Sequence, residues 1–242
     1  MRTLSLTPIT HHDERRDPMT KLDQPTAAPP VVDRALFDEA LAVQVTAEKD
    51  VTRHGDRVSA SRRRLPMVEV TNYAFAGPNG PVRLSDLFGD KHLLLVQNVM
   101  FGPDWDEGCP SCTWAVDNLP DNMERLTDEG IAFAMISQAP IDKLEAWRVK
   151  RSWAHPWVSS SDSSDHDDWG WTQADENGQE QQLPGYSYYL LKDGKPYLTY
   201  MTAARGTEAI LSVAHIMDRT IYGRQQDWED SPAGWPQAPT YG

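Results

Sequence analysis

The sequence has few cysteines, few positive charges and no long apolar run. It contains two cysteines in 242 residues, and 23 Lys and Arg stand against 36 Asp and Glu, for a formal net charge of -13. Such an acidic chain argues against a nucleic-acid partner and against attraction to anionic lipid headgroups. No stretch approaches the roughly 20 apolar residues that span a bilayer. We therefore expect a cytoplasmic protein that binds neither nucleic acid nor membrane.

The two ends of the chain differ in composition from its middle. Residues 1–32 are polar and interrupted by prolines, which predicts a disordered leader. Residues 225–242 form a tail containing prolines and tryptophans, and composition leaves open whether this tail is loose or packed. Between them, residues 33–224 predict one domain. Its first part, 33–65, has a helical stripe of apolar residues preceded by the capping residue Asp33, and it predicts a helical arm.

Hydrophobic patterning predicts the order of the elements. Short continuous apolar runs are typical of parallel strands buried on both faces, and an Asp-Gly pair between two apolar runs is typical of a hairpin. In chain order the pattern predicts a hairpin region over 68–84, a strand over 92–99, a helix after Cys109, a strand over 131–136, a helix over 140–153, a short strand over 156–158, a long loop or insertion over 159–183, a hairpin of 186–191 and 196–201, and a helix over 207–222. This order predicts an α/β protein with a thioredoxin-like fold, an N-terminal helical arm and a β-hairpin extension.

The only two cysteines lie in the segment Cys109-Pro110-Ser111-Cys112, between an apolar run and the predicted helix. This spacing allows the two sulfurs to form a disulfide and to reopen it. The first sulfur lies where unpaired backbone N–H groups and the helix dipole favour a thiolate. We therefore expect Cys109 to attack a disulfide or a peroxide and Cys112 to resolve the product. A lone dithiol of this kind also fits a reducing compartment.

One long block of sequence resembles a known family. The residues that carry the resemblance are 48–53, 62–66, 73–80, 84–88, 100–112, 143–145 and 156–160, and residues 100–105 joined to 108–112 are its most specific part. Over roughly residues 34–222 the chain resembles a thioredoxin-like family of predicted dithiol-disulfide oxidoreductases, the domain of unknown function 899. The resemblance implies a thioredoxin-like fold and a redox role without naming a substrate. Gln138 and Ala203 depart from the arginine and tyrosine that the family pattern has at these places.

Three carboxylates precede the dithiol: Asp104, Asp106 and Glu107. If they crowded the sulfur they would raise the pKa of Cys109, whereas the helix terminus lowers it. We expect the carboxylates to face water and Trp105 to cover the dithiol. A measured pKa of Cys109 above that of a free thiol would contradict this arrangement.

Two further residues are candidates for substrate binding beside Trp105. Pro184 comes just before the predicted strand at 186, where a thioredoxin-like fold places a cis-proline loop facing the dithiol. Only about one X–Pro bond in twenty is cis in folded proteins, so the sequence alone favours a trans bond. Arg205 is either a ligand for an anionic group or a solvated charge before the last helix.

Three other functions stay open from the residues. A peroxiredoxin-like peroxidase is the nearest chemical alternative, with Thr113 and Arg205 beside the reacting sulfur. The second alternative is a zinc or copper site in which the cysteine pair is completed by a residue from the set His92, His155, His166 and Asp104. The third alternative is an interaction module in which tryptophans form a partner-binding groove, with Trp169 and Trp171 the hardest to assign to a core.

The favoured function, a dithiol-disulfide oxidoreductase, needs a thiol or disulfide substrate and an electron donor that the sequence does not identify. It requires no cofactor and no resident metal. The sequence leaves open whether the protein is a homodimer.

Overall fold

The computed structural model describes residues 27–120, 123–175 and 178–237. The predicted leader therefore lies almost entirely outside the described residues, as does the end of the tail. The described chain divides into two compact units. One comprises Pro66–Ile216, and the other comprises residues 27–65 with 217–237.

The unit Pro66–Ile216 is built on a mixed sheet with helices. Its strands are β1 (Val68–Glu69), β2 (Ala74–Gly77), β3 (Gly80–Arg83), β4 (Leu93–Asn98), β5 (Ile131–Ser137), β6 (Trp157–Ser159), β7 (Thr172–Ala174), β8 (Glu180–Gln182), β9 (Gly185–Lys192) and β10 (Lys195–Ala203). Its α-helices are α2 (Pro110–Asp117), α3 (Glu124–Asp128), α4 (Ile141–Arg151), α5 (Asp165–Asp168) and α6 (Ser212–Met217), with 3-10 segments at Leu84–Phe88 and Ala204–Ile210. Eight strands form one sheet in the order β1-β10-β9-β4-β5-β6-β2-β3, and β7 pairs with β8 separately.

The centre of the sheet follows the apolar runs seen in the sequence. β4 pairs in parallel with β5, and β5 pairs in parallel with β6. β9 runs antiparallel to β4 and returns as β10 through Asp193-Gly194, whose φ angles of 52° and 73° suit a tight hairpin turn. The order β10-β9-β4-β5, with a helix between the parallel strands, is that of a thioredoxin-like fold. The predicted fold class is therefore confirmed.

Apolar side chains pack on both faces of this sheet, as expected for strands that read as continuous hydrophobic runs. One cluster draws on residues of β2, β4, β5, β6, β9 and β10 and on the segments around Val70 and Phe88: Val70, Tyr73, Phe75, Leu84, Phe88, Leu94, Val96, Ala134, Ile136, Val158, Tyr189 and Leu198. The other cluster contains the dithiol: Val99, Met100, Phe101, Cys109, Cys112, Val116, Phe133, Met135, Ala139, Leu144, Trp147, Trp153 and Trp157. We call the second group the dithiol cluster.

Two sequence expectations for this unit need correction. The insertion over 159–183 is not a structureless loop, because it holds α5 and the strands β7 and β8. The single helix expected over 207–222 is a 3-10 segment followed by the short helix α6, with Leu211 between them at φ -90° and ψ 90°. Leu211 is buried while Ile216 and Ile221 are exposed, so the apolar stripe does not face one core as a continuous helix would.

In the second unit, α1 (Arg34–Arg62) is a single helix of 29 residues. Asp33 caps it as predicted, since its carboxylate accepts a hydrogen bond of 2.9 Å from the Leu36 N–H. The helix ends before Pro66, and none of the described helices is long and apolar enough to cross a membrane. In the same unit the Tyr222 hydroxyl donates to the Ala27 carbonyl at 2.7 Å.

Candidate dithiol site

The candidate site is built where β4 gives way to a loop that leads into α2. The loop folds back so that the Cys109 N–H donates to the Met100 carbonyl at 3.0 Å. Cys109 is the N-cap residue of α2, and its own carbonyl accepts the first helical hydrogen bond from the Thr113 N–H at 2.9 Å. Pro110 occupies the first helical position, where its missing N–H costs nothing. The helix therefore begins directly after Cys109, as the sequence predicts.

Distant elements hold this loop in place. The Gln182 side chain, on β8, accepts a hydrogen bond of 3.1 Å from the Phe101 N–H. Lys143, on α4, donates to the carbonyls of Pro103 and Trp105, both at 2.7 Å. The charged ammonium strengthens both hydrogen bonds, since bonds with an ionised donor are stronger than neutral ones. The backbone in front of the dithiol is thus anchored on two sides.

Both cysteines are free thiols and both are buried, Cys109 with 6% and Cys112 with 4% of its surface exposed. The Cys109 Sγ lies 3.1 Å from the Ser111 Oγ. Pro110 and Ser111 are themselves exposed, so the first sulfur lies one side chain below the surface. A small reagent needs less rearrangement to reach it than a protein disulfide does.

The two thiols have opposite pKa shifts. A hydrogen bond from Cys112 is the largest cause that lowers the pKa of Cys109, and the Ser111 hydroxyl and the backbone N–H groups of residues 111 and 112 add to it. Burial opposes these effects, and the balance lowers the pKa of Cys109 to about 6. The same interaction with Cys109, together with burial, raises the pKa of Cys112 well above its ordinary value. Cys109 therefore ionises first and Cys112 keeps its proton.

The three acidic residues before the dithiol do not oppose this ionisation. Asp104, Asp106 and Glu107 are all exposed, and none of them contributes to the shift in the pKa of Cys109. Glu107 forms an ion pair of 2.9 Å with Lys150 on α4. This agrees with the expectation that the carboxylates face water.

The substrate-binding candidates lie in different places. Trp105 is partly buried and packs against the dithiol cluster, and its indole lies over Gly102, where an added Cβ would come within 2.8 Å of the Nε1 atom. Pro184 directly precedes β9, whose first residue pairs with Asn98 at the end of β4. No described residue has a cis peptide bond, so the bond before Pro184 is trans. Arg205 is 65% exposed and forms an ion pair of 3.0 Å with Glu208. The structure thus brings Trp105, but not Arg205, into the packing around the sulfurs.

The histidines named for a metal site have other surroundings. Across residues 27–120, 123–175 and 178–237, no group of three or more His, Cys, Asp or Glu side chains is placed to hold a metal ion. His155 packs edge-on against the Phe133 ring, with centroids 5.1 Å apart. The His166 Nδ1 lies 2.9 Å from the Ser160 Oγ and 3.3 Å from a carboxylate oxygen of Asp165.

The structure also places buried polar residues near the dithiol, and of these only Thr113 is a candidate from the sequence. Buried atoms without a hydrogen-bond partner include the Thr113 Oγ1, the Trp147 Nε1, the Gln97 Oε1 and the Tyr186 hydroxyl. Gln97 and Tyr186 are partners across β4 and β9 and so share a face of the sheet. Burial is the chief cause that raises the pKa of Tyr186. Only the strand alternation hinted that these side chains face one another.

The sheet order and a CxxC segment at the start of α2 define a thioredoxin-like protein. The chain belongs to the family described as "Bacterial protein of unknown function (DUF899)", whose model matches residues 26–241. This confirms the resemblance found in the sequence. No curated protein matches the chain.

Solved structures with a similar chain path include peroxiredoxins of low identity. Peroxidoxin BcpB from Mycobacterium tuberculosis is 15% identical, with 64% of this chain and 98% of that chain covered and a TM-score of 0.47. A mutant of PrxQ from Xylella fastidiosa is 11% identical, with 62% and 94% covered and a TM-score of 0.46. Peroxiredoxin Q from Xanthomonas campestris is 16% identical, with 58% and 87% covered and a TM-score of 0.42. Likenesses at this level say nothing about the activity of this chain.

Proposed function

We propose that the protein is a thiol-disulfide oxidoreductase in which Cys109 is the nucleophile and Cys112 is the resolving thiol. The observation that carries the proposal is the placement of Cys109 at the N-cap of α2, with Cys112 in the first turn of the helix and the Ser111 Oγ 3.1 Å from the Cys109 sulfur. A thiolate is the attacking form of cysteine, so a thiol with a pKa near 6 is ready to react at neutral pH. A partner that keeps its proton does not compete for the substrate in the first step.

The reaction balances as two thiol exchanges. The Cys109 thiolate attacks one sulfur of a substrate disulfide, a new S–S bond forms, the substrate S–S bond breaks, and the leaving thiolate takes up a proton from water. Cys112 then loses its proton and attacks the Cys109 sulfur, which releases the second substrate thiol and leaves a Cys109–Cys112 disulfide. The substrate gains two electrons and the protein loses two. A separate thiol donor restores the dithiol, and the proposal sets this cycle in a reducing compartment such as the cytoplasm.

The redox potential of the couple tests this proposal. We expect the purified protein to form an intramolecular disulfide reversibly in glutathione buffers, with a potential between about -320 and about -120 mV. Cys109→Ser and Cys112→Ser each remove the couple, and only Cys112→Ser should accumulate a mixed disulfide with glutathione. If no intramolecular disulfide forms at any ratio of reduced to oxidised glutathione, the proposal is wrong.

A further inference from the structure

The long helix α1 has an apolar stripe that the part of the chain described by the structure leaves uncovered. The stripe recurs at intervals of three or four residues along one side of the helix and has one polar member, His54: Leu36, Ala40, Val43, Ala47, Val51, His54 and Val58. No residue of α1 is buried, and Val43 and Val51 are 70% and 72% exposed. Helices in proteins owe most of their stability to the packing of such a face, so the stripe calls for an occupant.

The spacing of the stripe suits contact with another helix along its whole length. Leu36, Ala47 and Val58 are eleven residues apart, and an eleven-residue repeat keeps a stripe on one side of a nearly straight helix. Because α1 has 29 residues, it is about 44 Å long. A second helix lying along the stripe would bury on the order of 1,000 Å² in total, which corresponds to a weak but specific interface.

The charges along the arm are divided between its two halves. Residues 33–50 carry five carboxylates and two cationic side chains, whereas residues 51–64 carry five arginines and one carboxylate. Two such helices side by side in parallel would set like charges against each other. In an antiparallel pair the acidic half of each helix lies against the basic half of the other, so the arm is electrostatically complementary to a second copy of itself.

The apolar stripe fits the same antiparallel arrangement. In a pair centred on Ala47, Leu36 lies opposite Val58 of the second copy and Val43 lies opposite Val51 of the second copy. A single two-fold axis therefore matches the apolar residues and the charges together, as a closed dimer requires. A parallel pair would also match the stripe with itself, so the charges decide the orientation.

Glu39 and Arg57 are the charges placed most directly beside this contact. They are 18 residues apart, which is five helical turns, so both lie on the same flank of the stripe. In the antiparallel pair, Glu39 of one copy and Arg57 of the other are offset by only about 3 Å along the helix axis. Neither has an ion pair within the described residues, whereas Asp38 and Asp50 bind arginines of their own helix at 2.7 and 2.8 Å.

We propose that α1 is a dimerisation arm whose apolar stripe packs antiparallel against the same stripe of a second copy of the chain. The chain has a net charge of -13, but residues 33–64 carry nearly equal numbers of positive and negative charges. Repulsion between two copies is therefore least where the arms meet. The proposal uses no residue of the candidate dithiol site and is independent of the proposed function.

Sedimentation velocity of the whole chain tests the stripe. In about 0.15 M NaCl we expect the 27.3 kDa monomer to associate reversibly into a dimer with a Kd on the order of 1–100 μM. The double substitution Val43→Gln, Val51→Gln should raise the Kd at least about tenfold, because it removes apolar contacts in both copies. Glutamine is a better helix former than valine, so helicity by circular dichroism should not fall. Val45→Gln makes the same change on the opposite side of the helix and should leave the Kd unchanged.

Charge reversal tests the orientation. Glu39→Arg alone and Arg57→Glu alone should each raise the Kd about tenfold, and the two together should bring it back to within about threefold of the wild type. Lys49→Glu is the matched control, because it makes the charge change of Arg57→Glu on the side away from the stripe. On the other flank Glu48 comes close to Glu48 of the second copy, so Glu48→Gln should lower the Kd about threefold.

Four results would overturn the proposal. The first is a chain that stays monomeric at about 200 μM. The second is a dimer that Val43→Gln with Val51→Gln does not weaken, because the contact would then lie elsewhere. The third is a doubly reversed variant that associates no better than the single ones, because the helices would then not be antiparallel. The fourth is a chain that dimerises only after residues 1–26 are removed, because that segment would then occupy the stripe in place of a second copy.

Discussion

Replacing Cys112 by alanine should slow alkylation of Cys109 in acid and accelerate it in alkali. The hydrogen bond from Cys112 is the largest cause that lowers the pKa of Cys109 from 9.0 to about 6. The substitution removes that bond and leaves the burial that raises the pKa. We therefore expect the pKa of Cys109 in the variant to return towards 9.

The size of the effect follows from the thiolate fraction and from its nucleophilicity. With a pKa of about 6 against 9.0, the wild type has about 500 times more Cys109 thiolate than the variant at pH 6. Intrinsic nucleophilicity falls with pKa with a Brønsted slope of about 0.45, so a shift of about three units makes each thiolate roughly 20 times less reactive. The wild type should therefore react about 25 times faster at pH 6, and the two rates should cross near about pH 7.7.

Iodoacetamide alkylation of the reduced proteins, followed by mass spectrometry from about pH 5 to about pH 9, measures this directly. Cys112→Ser is the control, because its hydroxyl can still donate and should hold the pKa between the two extremes. A wild-type profile with its midpoint near that of an ordinary thiol would refute the assignment of Cys109 as the nucleophile. So would a Cys112→Ala profile that coincides with the wild type.

Three other consequences follow from the same geometry. Because the folded pKa of Cys109 is lowered, its thiolate contributes stability that is fully present only above the unfolded value of 9.0 and is lost as pH falls through about 6. Relative to Cys109→Ser, the reduced protein should therefore gain up to about 1.4 kcal/mol in free energy of unfolding per pH unit between about pH 6 and about pH 8, and urea titrations giving a flat difference would contradict this. Tyr186→Phe removes a buried hydroxyl that has no hydrogen-bond partner. The free energy of unfolding in urea titrations should therefore stay the same or rise by up to about 1 kcal/mol, and a loss above about 1 kcal/mol would mean that the hydroxyl is hydrogen-bonded. Gly102→Ala places a Cβ 2.8 Å from the Trp105 Nε1 and should displace the indole. A bulky aromatic disulfide reagent should then oxidise Cys109 faster, and an unchanged rate would show that Trp105 does not cover the sulfur.

The parts of the fold that the sequence predicts are those set by neighbouring residues. Strands β4 and β5 read as apolar runs because both of their faces are covered. The β9–β10 hairpin follows from Asp193-Gly194, where two positive φ angles favour these residue types. The last helix was mispredicted because an apolar stripe reports spacing alone, and it does not show that Leu211 leaves helical conformation.

The residues that complete the candidate site come from elements far apart in the chain. Lys143 and Gln182 both bind the loop before Cys109, and each is separated from it by more than one strand or helix. The helical spacing of Trp147 predicts that it faces a core, but not that its indole Nε1 meets Gly108, directly before the nucleophile. Such meetings depend on how α2 and α4 pack against one sheet, which no local pattern specifies.

The acidity of the loop shows why counting charges in the sequence misjudges the nucleophile. Three carboxylates within five residues of Cys109 predict a conflict with its thiolate, but each is exposed, and charges in contact with water interact weakly and are screened by salt. The groups that shift the pKa of Cys109 are instead close hydrogen-bond donors: the Cys112 thiol, the Ser111 hydroxyl and two backbone N–H groups. Short-range donors in a buried setting outweigh distant solvated charges, because the effective dielectric is far lower between them. An acidic protein can therefore hold a reactive thiolate, provided that the carboxylates lie on the water side of the loop and the donors lie beneath it.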